Sequence, residues 1–368
     1  MIFDSESMSN LRAKYADAPD YGVPRVIFLD RSPKLSSERE YLERLVQSAP
    51  KEAQRGWVAR LVSTDPGQHL GAWFEIMLYG WLMEIGRVEV EPWLEGSRPD
   101  FVLHVAGQEI VVESRACLVG DVERQQGVRD AEVLARLNSI PLSYVVIIEK
   151  LAIDKDADVD TMMESVDTWP LTRPLTPFHY QDSQGNKVQL AAQEYPTLET
   201  VATIGPARTA WISPEPLKSP LREKAGQHRG LRRAGYPYVL ALLLESWKYS
   251  AEEVAEAWFG GTRVTVDVQT NQPVEQGLDR TGLHFFGSEV RHRTVSGTLV
   301  FRADLNKAIG RRELRPWYIQ NPFAHTHVGP SLFPAESRYV LVEEKAGHPA
   351  MVWKPDSQEG SQQNRRAD

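Results

Sequence analysis

Residues 99–116 read PDFVLHVAGQEIVVESRA, and this stretch decides the fold of the chain. Two apolar runs flank the turn sequence Ala106-Gly107-Gln108, an arrangement that predicts two antiparallel strands joined as a hairpin. Asp100 begins the first strand and Glu113 lies near the end of the second. Because the strands fold back on each other, both carboxylates are expected at the same end of the hairpin.

The segment before the hairpin predicts a helix followed by one more strand. Apolar residues recur at helical spacing over Gln68–Ile85, and Gly86 ends the run. Val88–Glu91 alternates in polarity, which indicates a short strand. Glu75 lies in the helix away from the centre of its apolar stripe. We therefore expect Glu75 to reach the end of the sheet that carries the two carboxylates.

Downstream of the hairpin, further helices and strands follow. A helix is predicted over Asp121–Asn138 and a strand buried on both faces over Tyr144–Ile148. A basic helix over Leu221–Leu231 precedes Tyr238–Leu244, the most apolar strand, and Ser250 begins a short helix with a capping box. The remaining predicted elements are the helices Ser36–Gln47 and Lys51–Val62 and the strands Thr262–Val268, Val295–Phe301 and Tyr339–Val342.

The mixture of predicted helices and strands indicates an α/β fold class. The same elements divide the chain into six predicted regions. The lead-in up to about residue 24 is polar and interrupted by Pro and Gly, and residues 152–212 have a lower apolar density. The regions are an N-terminal arm with helices (1–62), the first part of the core (63–150), an insertion with a hairpin (151–215), the second part of the core (216–260), an α+β C-terminal extension (261–353) and a disordered tail (354–368).

The composition excludes several classes of protein. A hydrophobic content of 42% and a charged content of 25% are ordinary for a soluble globular protein. The formal charge of −8 argues against a protein that coats nucleic acid, so any such contact needs a local basic patch. The single cysteine, Cys117, excludes an intramolecular disulfide and a cysteine-based zinc site.

Targeting and cofactor signatures are also missing from the sequence. The N-terminus lacks the basic and apolar pattern of a secretory signal, and no segment approaches 18 uninterrupted apolar residues. We therefore expect a cytoplasmic protein that does not contact a membrane. The motifs of dinucleotide-binding folds, P-loop proteins, zinc proteases and α/β-hydrolases are absent, so a small-molecule enzyme of one of these classes is disfavoured.

Pro99-Asp100 and Val112-Glu113-Ser114-Arg115, with Glu75 upstream, resemble the PD-(D/E)xK nuclease superfamily. This resemblance implies a restriction-endonuclease-like core, in which a helix, a three-stranded meander, a helix and a strand follow one another. It also implies hydrolysis of phosphodiester bonds, with Mg²⁺ or Mn²⁺ held by Asp100 and Glu113 and with Glu75 orienting a water or a second ion. Nucleic acid is the implied partner, with DNA favoured over RNA, and a homodimer is a further expectation.

Arg115 departs from the pattern of the family, because members that cut usually have lysine at this position. Arginine stays charged at any reachable pH, so it can brace a phosphate or a transition-state oxygen but cannot act as a base. Lys224 on the basic helix is the candidate to replace the missing lysine. Two hypotheses stay open: a Mg²⁺-dependent nuclease, and a catalytically silent protein of the same fold that binds nucleic acid or a protein partner. An ordinary ion pair between Glu113 and Arg115 is the simplest alternative.

The segment from Lys218 to Arg233 is basic in an otherwise acidic chain, which predicts contacts with phosphate groups. A solvated helix face is the alternative interpretation. Segment 224–244 and Asn321-Pro322-Phe323 are also similar to segments of a group of bacterial proteins with this core. The residues predicted to contact nucleic acid are Lys218, Arg222, Lys224, Gln227, Arg229, Arg232 and Arg233.

Two other features have a functional and a structural interpretation. His325-Thr326-His327 has the spacing of a metal-chelating strand, but with no acid or cysteine nearby a loop pair without metal is favoured. Tryptophans such as Trp93 can stack on nucleic-acid bases. Packing in the core or at its rim explains most of them better.

Overall fold

The computed structural model describes residues 2–18, 23–117, 132–140, 144–152, 158–172, 177–194, 202–204, 215–227, 229–245, 249–266, 273–278, 281–286, 289–302, 316–329, 332–335, 337–343 and 349–355. Its helices are α1 (Glu6–Lys14), α2 (Arg25–Arg31), α3 (Ser36–Ser48), α4 (Lys51–Leu61), α5 (Pro66–Met83), α6 (Val159–Thr172), α7 (Glu215–Gly226), α8 (Arg229–Ala234) and α9 (Ala251–Phe259). A further helical segment covers 132–139.

The strands that accompany these helices make the chain a mixed α/β protein. They are β1 (Arg87–Val90), β2 (Phe101–Val105), β3 (Gln108–Cys117), β4 (Tyr144–Ala152), β5 (Phe178–Gln181), β6 (Lys187–Glu194), β7 (Ala202–Ile204), β8 (Tyr238–Leu244), β9 (Thr262–Val266), β10 (Pro273–Leu278), β11 (Phe285–Phe286), β12 (Glu289–Val290), β13 (Gly297–Arg302), β14 (Trp317–Gln320), β15 (Ser337–Glu343) and β16 (Pro349–Pro355).

The chain divides into two units, and the second is inserted into the sequence of the first. Unit 1 comprises Met1–Ala18, Val23–Leu118 and Ile212–Asp368, and unit 2 comprises Pro19–Gly22 and Val119–Trp211. No helix of the described ranges is long and apolar enough to cross a membrane.

An eight-stranded sheet forms the centre of unit 1, in the order β1-β2-β3-β8-β13-β14-β15-β16. The first three strands form an antiparallel meander, and β8 pairs in parallel with both β3 and β13. Ala106 and Gly107 turn β2 into β3 with φ values of 48° and 76°. Both residues of a type I′ hairpin turn require positive φ, a conformation that glycine adopts without strain.

Helices cover both faces of this sheet, and alternation along the strands assigns each residue to one face. Val239, Ala241 and Leu243 of β8 pack in the core that contains α5, whereas Leu240, Leu242 and Leu244 pack with α7 and α9. Because β8 is buried along its whole length, its sequence is a continuous apolar run without polar alternation.

Unit 2 contains a four-stranded sheet in the order β5-β6-β4-β7. Helix α6 packs its apolar residues, among them Met163 and Val166, on Val146 and Val188 of this sheet. The turn at Asp182 joins β5 to β6, as predicted, because its carboxylate accepts hydrogen bonds from the backbone N–H groups of Gln184 and Asn186 at 2.9 Å.

The structure differs from the sequence prediction in the N-terminal region. The predicted loose arm contains helix α1, whose N-cap Ser5 accepts a hydrogen bond from the backbone N–H of Met8 at 3.1 Å. Met8 and Leu11 are buried. A helix of only nine residues with few apolar positions gives a weak periodic signal, which is why the pattern alone did not indicate it.

Three other boundaries also differ. The strand predicted at Tyr144–Ile148 belongs to the sheet of unit 2, and the predicted helix Leu221–Leu231 is two helices, α7 and α8. Lys354 and Pro355, assigned to a disordered tail, belong to β16. The remainder of that tail, 356–368, and residues 121–131 of the predicted long helix lie outside the described residues.

Candidate active site

Glu113 is a buried carboxylate on the face of the sheet that packs against α7. Val111 belongs to the core with α7 and Val112 to the core with α5, so alternation along β3 turns Glu113 toward α7. The residue is 1% exposed. Lys224, in the last turn of α7, donates a hydrogen bond from Nζ to Glu113 Oε2 at 2.7 Å. A charge that is removed from water in this way needs a charged partner, and Lys224 supplies it.

Asp100, the residue immediately before β2, completes this cluster. Its backbone N–H donates to Glu113 Oε1 at 3.1 Å, which fixes the two residues side by side. Its Oδ2 accepts hydrogen bonds from the backbone N–H and the hydroxyl of Ser114, both at 2.7 Å, and lies 3.7 Å from Lys224 Nζ. Two carboxylates from neighbouring strands thus share one ammonium group.

The electrostatics of the cluster follow from burial and from the closeness of the two carboxylates. Burial raises the pKa of Asp100 to about 6, the charge of Glu113 adds to the rise, and Lys224 opposes it. Burial alone would lower the pKa of Lys224, but the charges of Asp100 and Glu113 and the hydrogen bond to Glu113 outweigh it and raise that pKa. Lys224 is therefore a fixed cation at neutral pH, whereas Asp100 titrates close to neutrality.

The backbone on both sides of the cluster holds Lys224 in position. Leu221 and Ala225 of α7 are buried in the core beneath the helix. The hydroxyl of Tyr238, at the start of β8, donates to the backbone carbonyl of Lys224 at 3.0 Å. Position 224 is thus anchored by α7 and by the central strand, so the ammonium group does not depend on a loop.

Arg115 shares the face of Glu113 but forms its ion pair with another residue. Its Nη2 lies 3.2 Å from Glu223 Oε2, and the side chains of Arg115 and Glu223 are 40% and 53% exposed. An ion pair at this level of exposure contributes little to stability. Arg115 therefore lies at the solvent side of the cluster, next to the helix that carries Lys224.

Glu75 is close enough to influence the cluster, but other side chains hold it. Arg60 of α4 binds both of its carboxylate oxygens, at 2.6 and 2.5 Å, and the indole N–H of Trp57 donates to Oε2 at 3.0 Å. Its charge nonetheless contributes to the raised pKa of Asp100. Glu75 lies on α5, which packs on the opposite face of the sheet from Glu113, and its charge acts on both Asp100 and Lys224. Its role in orienting a water or a second ion stays a prediction.

The other residues of the predicted basic segment do not join the cluster in the described part of the chain. Lys218 donates to the backbone carbonyl of Thr281 at 3.1 Å, Arg222 is exposed, and the backbone N–H of Gln227 donates to the carbonyl of Lys224 at 3.1 Å. Helix α8 carries the remaining three predicted contacts. The side chains of Arg229, Arg232 and Arg233 lie outside the described part of the structure.

Ser114 is a member of the site that sequence reasoning missed. Strict alternation along the strand turns its side chain away from Glu113, so the sequence pattern gives no reason to place it with the carboxylates. Because Asp100 precedes the strand and is free of its pleat, its carboxylate can reach both the backbone and the hydroxyl of Ser114. A serine between Glu113 and Arg115 was the only sequence signal available.

No protein-family model, curated protein or solved structure matches the chain. The site is therefore interpreted from its geometry. Asp100, Glu113 and Lys224 come from three different elements and carry one uncompensated negative charge when all three are ionised. An arrangement of this kind can bind a hard cation through its carboxylate oxygens and an anion through its ammonium group.

Proposed function

We propose that this chain is a metal-dependent nuclease with a restriction-endonuclease-like core. The observation that carries the proposal is the cluster of Asp100, Glu113 and Lys224. The order of elements around it also supports the proposal. Helix α5 and the meander β1-β2-β3 come before the inserted unit 2, and helix α7, the short helix α8 and the parallel strand β8 come after it. This is the order of the core that the residues around Asp100 and Glu113 resemble.

The carboxylates of Asp100 and Glu113 offer oxygen donors, which are the ligands that Mg²⁺ and Mn²⁺ prefer. Mg²⁺ is commonly held by one or two carboxylates, with substrate phosphate and water completing its coordination. Within the described ranges nothing donates a hydrogen bond to Asp100 Oδ1, so this oxygen is open to a cation. A larger group of three or more His, Cys, Asp or Glu side chains placed for a metal is absent from the described part of the chain. A bound Mg²⁺ would neutralise phosphate charge and lower the pKa of a water.

Lys224 and Arg115, which lie beside the proposed metal site, would contact the phosphate of the substrate. Lys224 presents a permanently charged ammonium group, which can neutralise charge that develops on the scissile phosphate. Arg115 can donate to a second phosphate oxygen once it exchanges its exposed partner Glu223 for the substrate. Ser114 holds Oδ2 of Asp100 through two hydrogen bonds, which leaves Oδ1 available to a cation.

A cleavage assay with matched variants tests this function. Single-stranded and duplex DNA and RNA are incubated with the protein in Mg²⁺, in Mn²⁺ and in chelator, beside Asp100→Asn, Glu113→Gln and Lys224→Met. Glu109→Gln is the control, because Glu109 is an exposed carboxylate of the same strand. We expect metal-dependent cleavage that the first three variants lose by about 100-fold or more and the control keeps. Cleavage that persists in Asp100→Asn and Glu113→Gln contradicts the proposal.

The second candidate function is a catalytically silent protein that binds nucleic acid or a protein partner. The pairing of Arg115 with Glu223, at the position where cutting members usually have lysine, favours it. This candidate predicts that the protein binds nucleic acid or the partner but cleaves nothing in either metal. It also predicts that Mg²⁺ leaves the thermal unfolding temperature unchanged.

A further inference from the structure

Trp93 is an exposed aromatic residue in the loop between β1 and β2. Its exposure of 77% is about twice that of the other exposed large apolar residues of the described ranges, Met83 and Ile147. Within those ranges it makes no ring contact and no hydrogen bond through its indole. An indole that is this exposed buries little surface in the fold, so the stability of the protein depends little on Trp93.

The loop that carries Trp93 is held in one conformation by the residues around it. Leu94 and Ser97 exchange two backbone hydrogen bonds, at 2.8 and 2.9 Å, and Leu94 packs against the core that contains α7. Arg98 pairs with Glu52 of α4 and with Glu91, both at 3.1 Å. The ring is therefore presented to solvent by a loop whose backbone is held in place, so a partner that binds has mainly the indole side chain to order.

This loop begins and ends at the candidate active site. The backbone N–H of Glu91 donates to the carbonyl of Asp100 at 2.9 Å, so these two residues close the base of the loop. Trp93 is two residues beyond Glu91, which places its Cα within about 13 Å of the Cα of Asp100. At about 3.4 Å per nucleotide, a stacked strand covers that distance in roughly four nucleotides or fewer.

We propose that Trp93 stacks against an unpaired base of the substrate, close to the phosphate at Asp100 and Glu113. This inference rests on the proposed nuclease function and narrows it: the preferred substrate is nucleic acid that is single-stranded or locally unpaired at the site. The faces of bases inside a duplex are covered by the bases above and below them, so an indole can stack there only on a base that has left the stack.

The charge of the loop favours a base over the phosphate backbone as the partner of Trp93. Glu91 and Glu95 are acids on either side of it, and both have left-handed backbone conformations, with φ values of 46° and 49°. Glu91 is paired with Arg98, so Glu95 is the carboxylate of the loop that repels phosphate, whereas a neutral base face is indifferent to this charge. In this arrangement Lys224 and Arg115 contact the phosphates, and Trp93 stacks on the unpaired base.

Binding measurements in chelator separate this inference from the nuclease proposal, since cleavage is then suppressed. A fluorescein-labelled single strand and its blunt duplex are titrated by anisotropy with wild type, Trp93→Ala and Trp93→Phe. Met83→Ala serves as the control that removes another exposed apolar side chain. We expect Trp93→Ala to weaken single-strand binding roughly tenfold, with Trp93→Phe retaining most of the affinity. Duplex binding should change by less than about twofold. A strand with 2-aminopurine should lose fluorescence on binding wild type but not Trp93→Ala.

Three results would overturn the inference. If wild type binds the single strand and Trp93→Ala binds it equally well, stacking is refuted while the nuclease proposal survives. If Trp93→Ala weakens self-association in sedimentation experiments and leaves nucleic-acid binding intact, the residue is a contact between copies of the chain. If wild type neither binds nor cleaves either form of nucleic acid, the nuclease proposal fails, and the inference fails with it.

Discussion

Replacing Lys224 with methionine should destabilise unit 1 by about 3 kcal/mol at neutral pH. Methionine keeps an unbranched side chain that is one heavy atom shorter than that of lysine, and it removes the charge. The change leaves Glu113, which is 1% exposed, beside Asp100 without the ammonium group that lies 2.7 Å from it. Breaking a buried ion pair by removing one partner costs about 3–5 kcal/mol. The lower end of that range applies because the side chains of Lys224 and Asp100 keep exposures of 13% and 26%.

The pH dependence of this loss has a definite sign. The pKa of Asp100 is about 6 with Lys224 present, and removing the cation raises it further. At acid pH Asp100 is protonated, so the unpaired charge beside Glu113 is relieved and the destabilisation should shrink. The stability difference between the variant and wild type should therefore narrow as the pH falls through the raised pKa of Asp100 in the variant to about 6, and Asp100 should add no further change below that pH.

Urea unfolding followed by tryptophan fluorescence measures the effect, with the transitions of the two units fitted separately. Arg222→Met is the matched control, because Arg222 is exposed on the same helix and its loss should cost less than about 0.5 kcal/mol. In a double-mutant cycle, Glu113→Gln combined with Lys224→Met should be less destabilising than the sum of the single changes by about 2 kcal/mol. Strictly additive single changes, or a Lys224→Met midpoint equal to that of the control, would refute the reasoning.

Three further predictions concern the surroundings of the cluster. Because the folded state raises the pKa of Asp100, the stability that its proton provides is fully present below the unfolded pKa of about 3.9 and lost as the pH rises through about 6. This loss of stability amounts to at most about 3 kcal/mol in wild type. Urea midpoints measured across this pH range should not show it in Asp100→Asn. Arg115→Ala breaks only the exposed pair with Glu223, so its unfolding free energy should change by less than about 1 kcal/mol while cleavage falls about tenfold or more. Gly230→Ala would bring a Cβ within 2.4 Å of the carbonyl of Glu95, so it should displace the Trp93 loop and cost about 1–3 kcal/mol in thermal unfolding; an unchanged melt would contradict this contact.

Local patterns were sufficient to predict the elements around the carboxylates. Helical spacing predicted α5, alternation with a glycine turn predicted the hairpin of β2 and β3, and a continuous apolar run predicted β8 over the residues that form it. These signals come from residues close in sequence, and each element buries the face that its pattern indicated. The closeness of Asp100 and Glu113 follows from the hairpin register alone.

Contacts between distant residues account for what the sequence did not reveal. Tyr144–Ile148 is a strand, as predicted, but an apolar run carries no information about which sheet it joins. Glu75 lies at the predicted position on α5, yet Arg60 and Trp57 of another helix bind its carboxylate. A contact of Lys224 with the carboxylates was expected only because Arg115 stands at the position where the family usually has lysine. No periodicity predicts which turn of α7 faces β3.

The hydrogen bond between Glu113 and Lys224 joins residues that are 111 positions apart, with unit 2 between them. A ribosome that adds about 5–20 residues per second needs roughly 6–22 s to travel from one to the other. During this interval the hairpin with both carboxylates is already complete. Lys224 and strand β8, which lie beside it in the folded protein, have not yet been made. The edge of β3 that pairs with β8 stays open until β8 follows. Charged side chains beside an open strand edge disfavour its pairing with another chain, so the carboxylates of the proposed catalytic centre can serve the nascent chain before they serve the site.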